Sequence, residues 1–112
     1  MGAGFVRITT DSSFEQDVIS SDRPVLVAFG ASWCGPCRLL APGLRALAGM
    51  EKDRLKVTKI DVDANPATTA HYGIESFPTC LLFKAGEPVE RLDGYMPLRK
   101  IQTIVGPHLD IA

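Results

Sequence analysis

The sequence has almost no excess charge of either sign, with 12 basic and 13 acidic residues and a formal net charge of -1. Proteins that bind nucleic acid or an anionic membrane usually carry clustered Lys and Arg, and no run of like charges occurs here. The longest apolar stretch, Val25–Phe29 with a little flanking sequence, is far shorter than the roughly 18 residues of a transmembrane helix. These absences predict a protein with neither a nucleic-acid partner nor a membrane partner.

The first ten residues lack the apolar block of about 7–15 residues that marks a secretory signal. We therefore expect a cytoplasmic location. Cysteine is also scarce, with three in the chain. Because the cytoplasm keeps thiols reduced, cysteines there more often serve catalysis or metal binding than a disulfide scaffold.

The chain has the length and composition of one ordinary globular domain. It contains 112 residues, of which 46% are hydrophobic and 22% are charged, and it shows no internal repeat or low-complexity segment. A chain of this size buries enough surface to fold without a metal or disulfide framework. We predict a single domain over residues 1–112.

Apolar strand patterns alternate with helical patterns along the whole chain. The predicted strands cover Phe5–Thr9, Val25–Phe29, Leu55–Val62, Thr79–Phe83 and Val89–Leu92. The predicted helices cover Ser12–Ser20, the segment after Trp33 to Gly49, Asn65–Tyr72 and Pro97–Leu109. Ser12 and Glu15 have the spacing of a capping box, and Pro42 predicts a kink in the second helix. The order β-α-β-α-β-α-β-β-α predicts an α/β fold with a central mixed β-sheet of four to five strands flanked by four helices.

The strongest chemical signal is the pentapeptide Trp33-Cys34-Gly35-Pro36-Cys37, which follows a buried strand and opens a helix. Free N–H groups and the positive end of the helix dipole stabilise a thiolate on Cys34, and the thiolate is the nucleophilic form. Cys37 lies one turn into the helix, so we expect it to be less exposed and placed to resolve a mixed disulfide. Gly35 permits close approach of a partner chain, and Pro36 suits the first helical turn.

Two other interpretations of these cysteines are weaker. Inert buried thiols have no reason to lie between Trp, Gly and Pro at a strand-to-helix turn. A structural zinc site needs four ligands, and the remaining candidates Cys80, His71 and His108 stand at unsuitable spacings. We therefore expect no metal, and we expect Cys80 to pack as a small apolar residue within its strand.

The sequence resembles the thioredoxin family from about Phe5 to Leu109. Besides the pentapeptide, the matching residues are Pro42, Lys59, Asp61, Asn65-Pro66, Tyr72-Gly73-Ile74, Phe77-Pro78-Thr79, Phe83-Lys84, Gly86-Glu87 and Gly94. The resemblance implies a thioredoxin-like fold and a protein disulfide reductase. It implies that Cys34 attacks a client disulfide and that Cys37 resolves the mixed disulfide. It further implies that no bound cofactor is needed, that a thioredoxin reductase using NADPH supplies electrons, and that the chain acts as a monomer on disulfide-containing proteins.

The resemblance also implies which residues support and surround the cysteines. Pro78 matches the family's cis-proline, and Lys59 matches a lysine near the active site. The substrate-contact surface is implied to consist of Trp33, Gly35, Pro36, Phe77, Pro78 and Gly94. An extended client segment is expected to pair with the backbone beside Pro78, like an added strand.

Three positions depart from the family pattern. Ala28 stands where the family usually has a buried Asp that exchanges a proton with the second cysteine, so Lys59 lacks its usual partner. Gly30 replaces an aromatic residue, and Asp93 places a negative charge beside the contact surface. These departures leave two alternatives open: a binding module with a slow redox step, and a specialised redox partner of one enzyme. Glutaredoxin-like use of glutathione is less favoured, since no separate glutathione site is evident.

Overall fold

A five-stranded mixed β-sheet forms the centre of the molecule in the computed structural model, which describes residues 4–109. The strands are β1 (Arg7–Ile8), β2 (Val25–Gly30), β3 (Lys56–Asp61), β4 (Thr79–Lys84) and β5 (Glu87–Asp93). Their order across the sheet is β1-β3-β2-β4-β5. Both β1 and β2 run parallel to β3, whereas β4 is antiparallel to β2 and β5. The predicted mixed sheet is confirmed, with five strands. The domain predicted over residues 1–112 includes residues 1–3 and 110–112, which lie outside the described residues.

Four helical segments occur in the predicted order; the first three connect strands and the last follows β5. They are a π-helix (Glu15–Ile19) and the α-helices α1 (Gly35–Met50), α2 (Pro66–His71) and α3 (Leu98–Val105), with a 3₁₀ turn (Gly106–His108) after α3. Helix α1 continues past Pro42 and Gly49 to Met50. No helix within residues 4–109 has both the length and the apolar character needed to span a bilayer.

The starts of two helical segments differ from the sequence predictions. The reciprocal cap before the π-helix joins Thr10 and Ser13 instead of Ser12 and Glu15. The Thr10 N–H donates to Ser13 Oγ at 3.1 Å, and the Ser13 N–H donates to Thr10 Oγ1 at 3.2 Å. Pro97 lies just before α3 in an extended conformation, so the first helical residue is Leu98.

Two hydrophobic cores cover the two faces of the sheet because alternate residues of each strand point to opposite sides. In β2, Leu26 and Ala28 face the core built with α1 and α3. Val25, Val27 and Phe29 face the core that includes Phe14 and Val18 from the other side. Because β2 has neighbours on both edges and both faces, it is buried almost throughout. The carboxyl end of this rigid strand therefore positions the following loop and the start of α1.

The N-terminus of α2 is capped from a distant part of the chain. Asn65, at the cap position, makes no side-chain bond to the helix. Instead, the Asp11 carboxylate accepts from the N–H groups of Ala67 at 3.1 Å and Thr68 at 2.9 Å. Asn65 in turn accepts from the Asp11 N–H through Oδ1 at 2.9 Å. This exchange ties the segment before the π-helix to the segment after β3.

Candidate active site

The two cysteines of the pentapeptide lie at the start of α1 and are joined by a disulfide bond. Their Cα atoms are 5.3 Å apart. Cys34 is the N-cap residue in an extended conformation, and its Sγ accepts a hydrogen bond from the Cys37 N–H at 3.2 Å. Pro36, in the first turn, has no N–H group that would need a partner. The sulfur of Cys34 therefore lies where helix N–H groups stabilise negative charge.

The exposure of the two cysteines is the reverse of the sequence prediction. Cys34 is buried, with 5% of its surface exposed, whereas Cys37 is partly exposed. Gly30 lies at the end of β2, directly beside Cys37. A Cβ atom at Gly30 would stand 2.9 Å from Cys37 Sγ and 3.4 Å from its Cβ, so any larger residue would press on this side chain. The missing side chain therefore lets Cys37 Sγ pack closely against Gly30.

A cleft of about 490 Å³ opens beside Gly30 and Cys37. Its walls come from β2, the start of α1, the end of β3 and the residue directly before β4. Its lining is mostly apolar and includes Ala28, Cys37, Leu40, Ala41, Lys59 and Pro78. Ala28 is 7% exposed and brings no carboxylate to the cleft. Lys59 is exposed at the rim, so its ammonium is solvated, and it makes no ion pair with any residue between 4 and 109.

Trp33 anchors the exposed side of the site. Its side chain is 61% exposed, and its Nε1 donates to Asp63 Oδ2 at 2.7 Å. The indole ring also meets Phe77 edge-on, with ring centroids 5.9 Å apart. The ring is thus held in place while much of its surface faces solvent. Trp33 combines the two roles of loop anchor and exposed apolar surface.

The remaining residues of the implied contact surface lie around this pair. The Phe77–Pro78 peptide bond is cis, as the resemblance implies, and the Gly94 N–H donates to the Pro78 carbonyl at 2.8 Å. Gly35, Phe77 and Gly94 are partly exposed and Pro36 is exposed. Pro78 itself is buried, so it shapes this surface from below and offers little area of its own.

Two residues discussed in the sequence have clear structural surroundings. The Asp93 carboxylate accepts from Arg91 Nε at 3.0 Å and from Thr79 Oγ1 at 3.4 Å, so its charge is balanced by a neighbouring cation. Cys80 is buried in β4 opposite Ala28. Burial raises the pKa of the Cys80 thiol to about 12. This confirms the prediction that Cys80 packs as an apolar residue.

Sequence reasoning missed Asp63 as a residue of the site. The signal that points to it is its place two residues after β3, which runs parallel to β2. Because the carboxyl ends of neighbouring parallel strands meet at one edge of a sheet, Asp63 lies beside the loop that follows β2.

Between residues 4 and 109, no group of three or more His, Cys, Asp or Glu side chains has an arrangement that could hold a metal.

Comparison with known proteins settles the relationship. Residues 5–106 match the family model described as Thioredoxin. The chain belongs to the thioredoxin family. Its membership and its joined Cys34–Cys37 pair together identify a redox-active disulfide centre and the function of a protein disulfide reductase.

Curated thioredoxins from several bacteria resemble the chain over most of its length. It is 50% identical to a thioredoxin of Alicyclobacillus acidocaldarius subsp. acidocaldarius over 93 residues, which cover 83% of this chain and 88% of that protein. It is 53% identical to a thioredoxin of Mycolicibacterium smegmatis over 87 residues, or 76% of this chain and 78% of that protein. It also matches 20% of a bifunctional thioredoxin reductase/thioredoxin of Mycobacterium leprae (strain TN), at 47% identity over 92 residues and 82% of this chain.

Proposed function

We propose that this chain is a general protein disulfide reductase in which Cys34 attacks and Cys37 resolves. The observation that carries the proposal is the position of the pair at the N-terminus of α1, with the Cys37 N–H directed at Cys34 Sγ. A hydrogen bond to a charged sulfur favours the thiolate, so the same contact activates Cys34 in the dithiol form. The apolar surface around Trp33 and Phe77 gives a client chain a place to bind next to this sulfur.

The exchange proceeds in two steps that balance. In the dithiol form, the Cys34 thiolate attacks one sulfur of a client disulfide, a bond forms between the two sulfurs, and the other client sulfur leaves as a thiolate. Cys37 then loses its proton and attacks Cys34 Sγ, which releases the second client sulfur. The client gains two electrons and two protons, and the chain is left with the Cys34–Cys37 bond of this structure.

The test is the reduction of insulin disulfides by the purified chain, followed as turbidity with dithiothreitol as the electron donor. We expect a rate well above that of dithiothreitol alone. Cys34→Ser should lower the rate to background, and the matched control Cys80→Ala should retain it because Cys80 is buried in β4. A parent rate equal to background would contradict the proposal.

We also propose that a thioredoxin reductase using NADPH supplies the electrons, with no cofactor bound to this chain. The support is the Mycobacterium leprae relative, whose name joins a thioredoxin reductase with a thioredoxin in one protein. We expect one NADPH to be oxidised for each insulin disulfide reduced when reductase and chain are both present. NADPH oxidation that proceeds without the chain, or none with it, would contradict this donor.

Client proteins are best identified by trapping. In Cys37→Ser the first step still occurs but the second does not, so mixed disulfides with client proteins accumulate on Cys34. The matched double variant Cys34→Ser/Cys37→Ser should trap none. Partners captured equally by both variants would instead favour a binding module, which the intact and joined cysteine pair does not favour.

We propose that the chain works in the cytoplasm as a monomer. A reducing compartment suits a protein that must return to its dithiol form, and the formal net charge of -1 gives no electrostatic reason for membrane attachment. Cell fractionation and sedimentation of the purified chain test the two parts separately. Recovery in the membrane fraction, or a sedimenting mass of two chains or more, would contradict them.

A further inference from the structure

A groove runs along α1 between this helix and the β1 side of the sheet, and we call it the α1 groove. One part is the cleft of about 490 Å³ beside Cys37, and the other is a cleft of about 270 Å³ beside Phe5. The two clefts adjoin, because three residues line both of them. These shared wall residues are Ala41, Leu44 and Lys59. The wall that α1 contributes over residues 37–45 is about 12 Å long at 1.5 Å per residue, which is the reach of an acyl chain of medium length.

The walls of the α1 groove are mostly apolar and include two large side chains that the fold leaves in solvent. Ile8 of β1 is 70% exposed and lines the first cleft, whereas Phe5 is 59% exposed and lines the second. Leu40 and Leu44, which belong to the core beneath, continue the apolar lining inward. Exposed apolar surface that adjoins a cleft is typical of a binding site. A ligand that covered these side chains would be stabilised by burial of apolar surface.

The charged side chains along the α1 groove are mainly cationic. Lys59 lines both clefts, Arg45 lines the second and Arg38 lines the first. All three are exposed, and none of them forms an ion pair with another residue between 4 and 109. The Asp61 carboxylate lines the first cleft alone, where its Oδ1 accepts from the Asp63 N–H at 3.0 Å. The balance of charge therefore favours an anionic ligand, with its charge at the second cleft.

Ala28 keeps the inner wall of the first cleft neutral. A carboxylate at this position would add a second negative charge to the cleft that Asp61 already lines. Alanine adds a methyl group instead, and its side chain is 7% exposed. The inner wall therefore suits a hydrocarbon chain.

The α1 groove offers few hydrogen-bond partners to an extended peptide. The backbone of Lys59 pairs with Ile8 of β1 on one side and with Ala28 of β2 on the other. Ala41 lies within α1, whose backbone groups bond to one another. A peptide here would leave many of its own N–H and C=O groups unpaired, which costs free energy. An acyl chain has no such groups along its length.

We propose that the α1 groove binds an amphipathic carboxylate of medium chain length. The carboxylate lies at Lys59 and Arg45, which both line the second cleft, and the hydrocarbon chain fills the larger first cleft. This proposal goes beyond the redox function and does not depend on it, because binding is measured on the oxidised chain and involves no thiol exchange.

Isothermal titration calorimetry with decanoate, below the concentration at which it forms micelles, tests the chemistry of the ligand. We expect saturation at one decanoate per chain. Octanoate, which is two methylenes shorter, should bind roughly tenfold more weakly because it buries less apolar surface. Decylammonium, which has the same chain and a cationic head, should bind more weakly than decanoate. No saturation, or equal affinity for decanoate and decylammonium, would overturn the proposal.

A matched pair of double variants tests the cations. Lys59→Met/Arg45→Met removes two charges from the second cleft, and Arg99→Met/Lys100→Met removes two charges from exposed positions of α3 that line neither cleft. Both variants have the same net charge. We expect the first to weaken decanoate binding by about fivefold, as for two exposed ion pairs, and the second to leave it unchanged. Equal loss in both would mean that net charge alone attracts decanoate, and would overturn the proposal.

The position of the ligand is tested by NMR and by a second pair of variants. Amide resonances of Ala41 and Leu44 should shift on addition of decanoate, whereas shifts centred on Trp33 and Phe77 would place the ligand on the client contact surface and overturn the proposal. Ala41→Phe should weaken binding by about tenfold, the loss expected when two methylenes no longer fit. Ala46→Phe, at an exposed position of α1 that lines neither cleft, should retain it. Equal affinity in these two variants would contradict the assigned groove.

Discussion

Ala28 and Gly30 change the chemistry of the site by what their side chains omit. Ala28 brings no proton-transfer group to the wall of the cleft, and Gly30 lets Cys37 Sγ pack close to the end of β2. In the proposed second step Cys37 must lose a proton, and no carboxylate at position 28 is present to accept it. Solvent that enters the cleft and the Asp61 carboxylate, which also lines it, are the other acceptors available there. The resolving step of this chain is therefore expected to proceed without the base that the family usually has at position 28.

We expect Ala28→Asp to accelerate resolution of the mixed disulfide, because a carboxylate on the cleft wall supplies a base for the Cys37 thiol. General acid–base catalysis contributes roughly 10²–10⁴-fold, which is the upper limit of the gain. Rapid-quench measurement of mixed-disulfide decay gives the rate, and Ala28→Asn is the matched control with similar shape and no base. Equal decay rates in the Asp and Asn variants would mean that proton transfer does not limit resolution.

The buried Cys80 thiol makes stability depend on alkaline pH. Burial raises its pKa from 9.0 to about 12, so between these values the unfolded chain releases the proton while the folded chain keeps it. The free energy of unfolding should fall as pH rises through this window, by at most about 1.4 kcal/mol per pH unit from this group. Below pH 9.0 it should contribute no slope.

Urea unfolding at several pH values measures this effect against Cys80→Ala. The variant should show a shallower decline between pH 9.0 and about 12 than the parent chain. Tyr72, whose pKa is also raised by burial, contributes to both proteins and cancels in the difference. If the free energy of unfolding fell equally with pH in the parent and in Cys80→Ala, the assignment to Cys80 would be contradicted.

Among the elements, α2 depends on a cap from outside the helix. The Asp11 carboxylate accepts from the backbone N–H groups of Ala67 and Thr68. The pKa of Asp11 is lowered, chiefly by a side-chain hydrogen bond from Thr68; desolvation opposes this shift, and the two backbone N–H groups add to it. The ionised carboxylate is therefore the form that stabilises the fold.

We expect Asp11→Asn to lower Tm by a few degrees at neutral pH, because the amide is a weaker acceptor for helix N–H groups. The stabilisation is present above the ordinary pKa of 3.8 and is lost as pH falls through the lowered value. The difference in Tm between parent and variant should therefore shrink in strong acid. Thermal unfolding at neutral and acidic pH measures it, with exposed Asp53→Asn as the control; a difference that persists in acid would contradict the charge argument.

The turn between β4 and β5 contains a strained residue. Its two residues, Ala85 and Gly86, have φ angles of 52° and 81°, which suit a tight hairpin but disfavour alanine. We expect Ala85→Asn to raise the free energy of unfolding by up to about 1 kcal/mol, since the left-handed region costs an ordinary residue roughly 1–2 kcal/mol. Urea unfolding measures the gain.

The neighbouring position supplies the opposite control. A Cβ atom at Gly86 would meet the Ile19 carbonyl oxygen at 3.2 Å in addition to the strained φ. Gly86→Ala should therefore destabilise the chain. Stabilisation by both substitutions, or by neither, would contradict the account of this turn.

Element order and the location of the site followed from the sequence, but local detail did not. Strand and helix periods are set by backbone geometry, so they predict elements without knowledge of the neighbours. The cap of the π-helix depends on which of several hydroxyl residues finds a tertiary partner, and Thr9, which donates to Asp17, helps fix that choice. The exposure of Cys37 depends on a cleft whose walls come from segments far apart in the chain. Spacing within the pentapeptide carries no information about those walls.

The whole molecule is held by two cores separated by the sheet. Leu47 of α1 belongs to the core on one face and Ile60 of β3 to the core on the other, and each is about 1% exposed. Side chains in separate clusters do not share a cavity when they are truncated. Their contributions to stability should therefore be independent even though the domain unfolds as one unit.

We expect Leu47→Ala to cost about 2–5 kcal/mol and Ile60→Val about 0.5–1.5 kcal/mol, the ranges for such truncations in well-packed cores. The double variant should lose the sum of the two within roughly 0.5 kcal/mol. Urea unfolding of the parent chain, the two single variants and the double variant gives the four free energies that this double-mutant cycle needs. A larger deviation from the sum would mean that the sheet transmits strain between its faces.

Trp33 is the only tryptophan of the chain, and it directly precedes the disulfide while its ring is held by Asp63 and Phe77. All indole fluorescence of the protein therefore comes from the residue next to Cys34. Disulfides quench indole emission, so opening or closing the bond changes the brightness of the native protein. The fluorescence of Trp33 therefore reports whether the disulfide is open or closed. Single turnovers can be followed by this fluorescence in a stopped-flow instrument without attaching a dye.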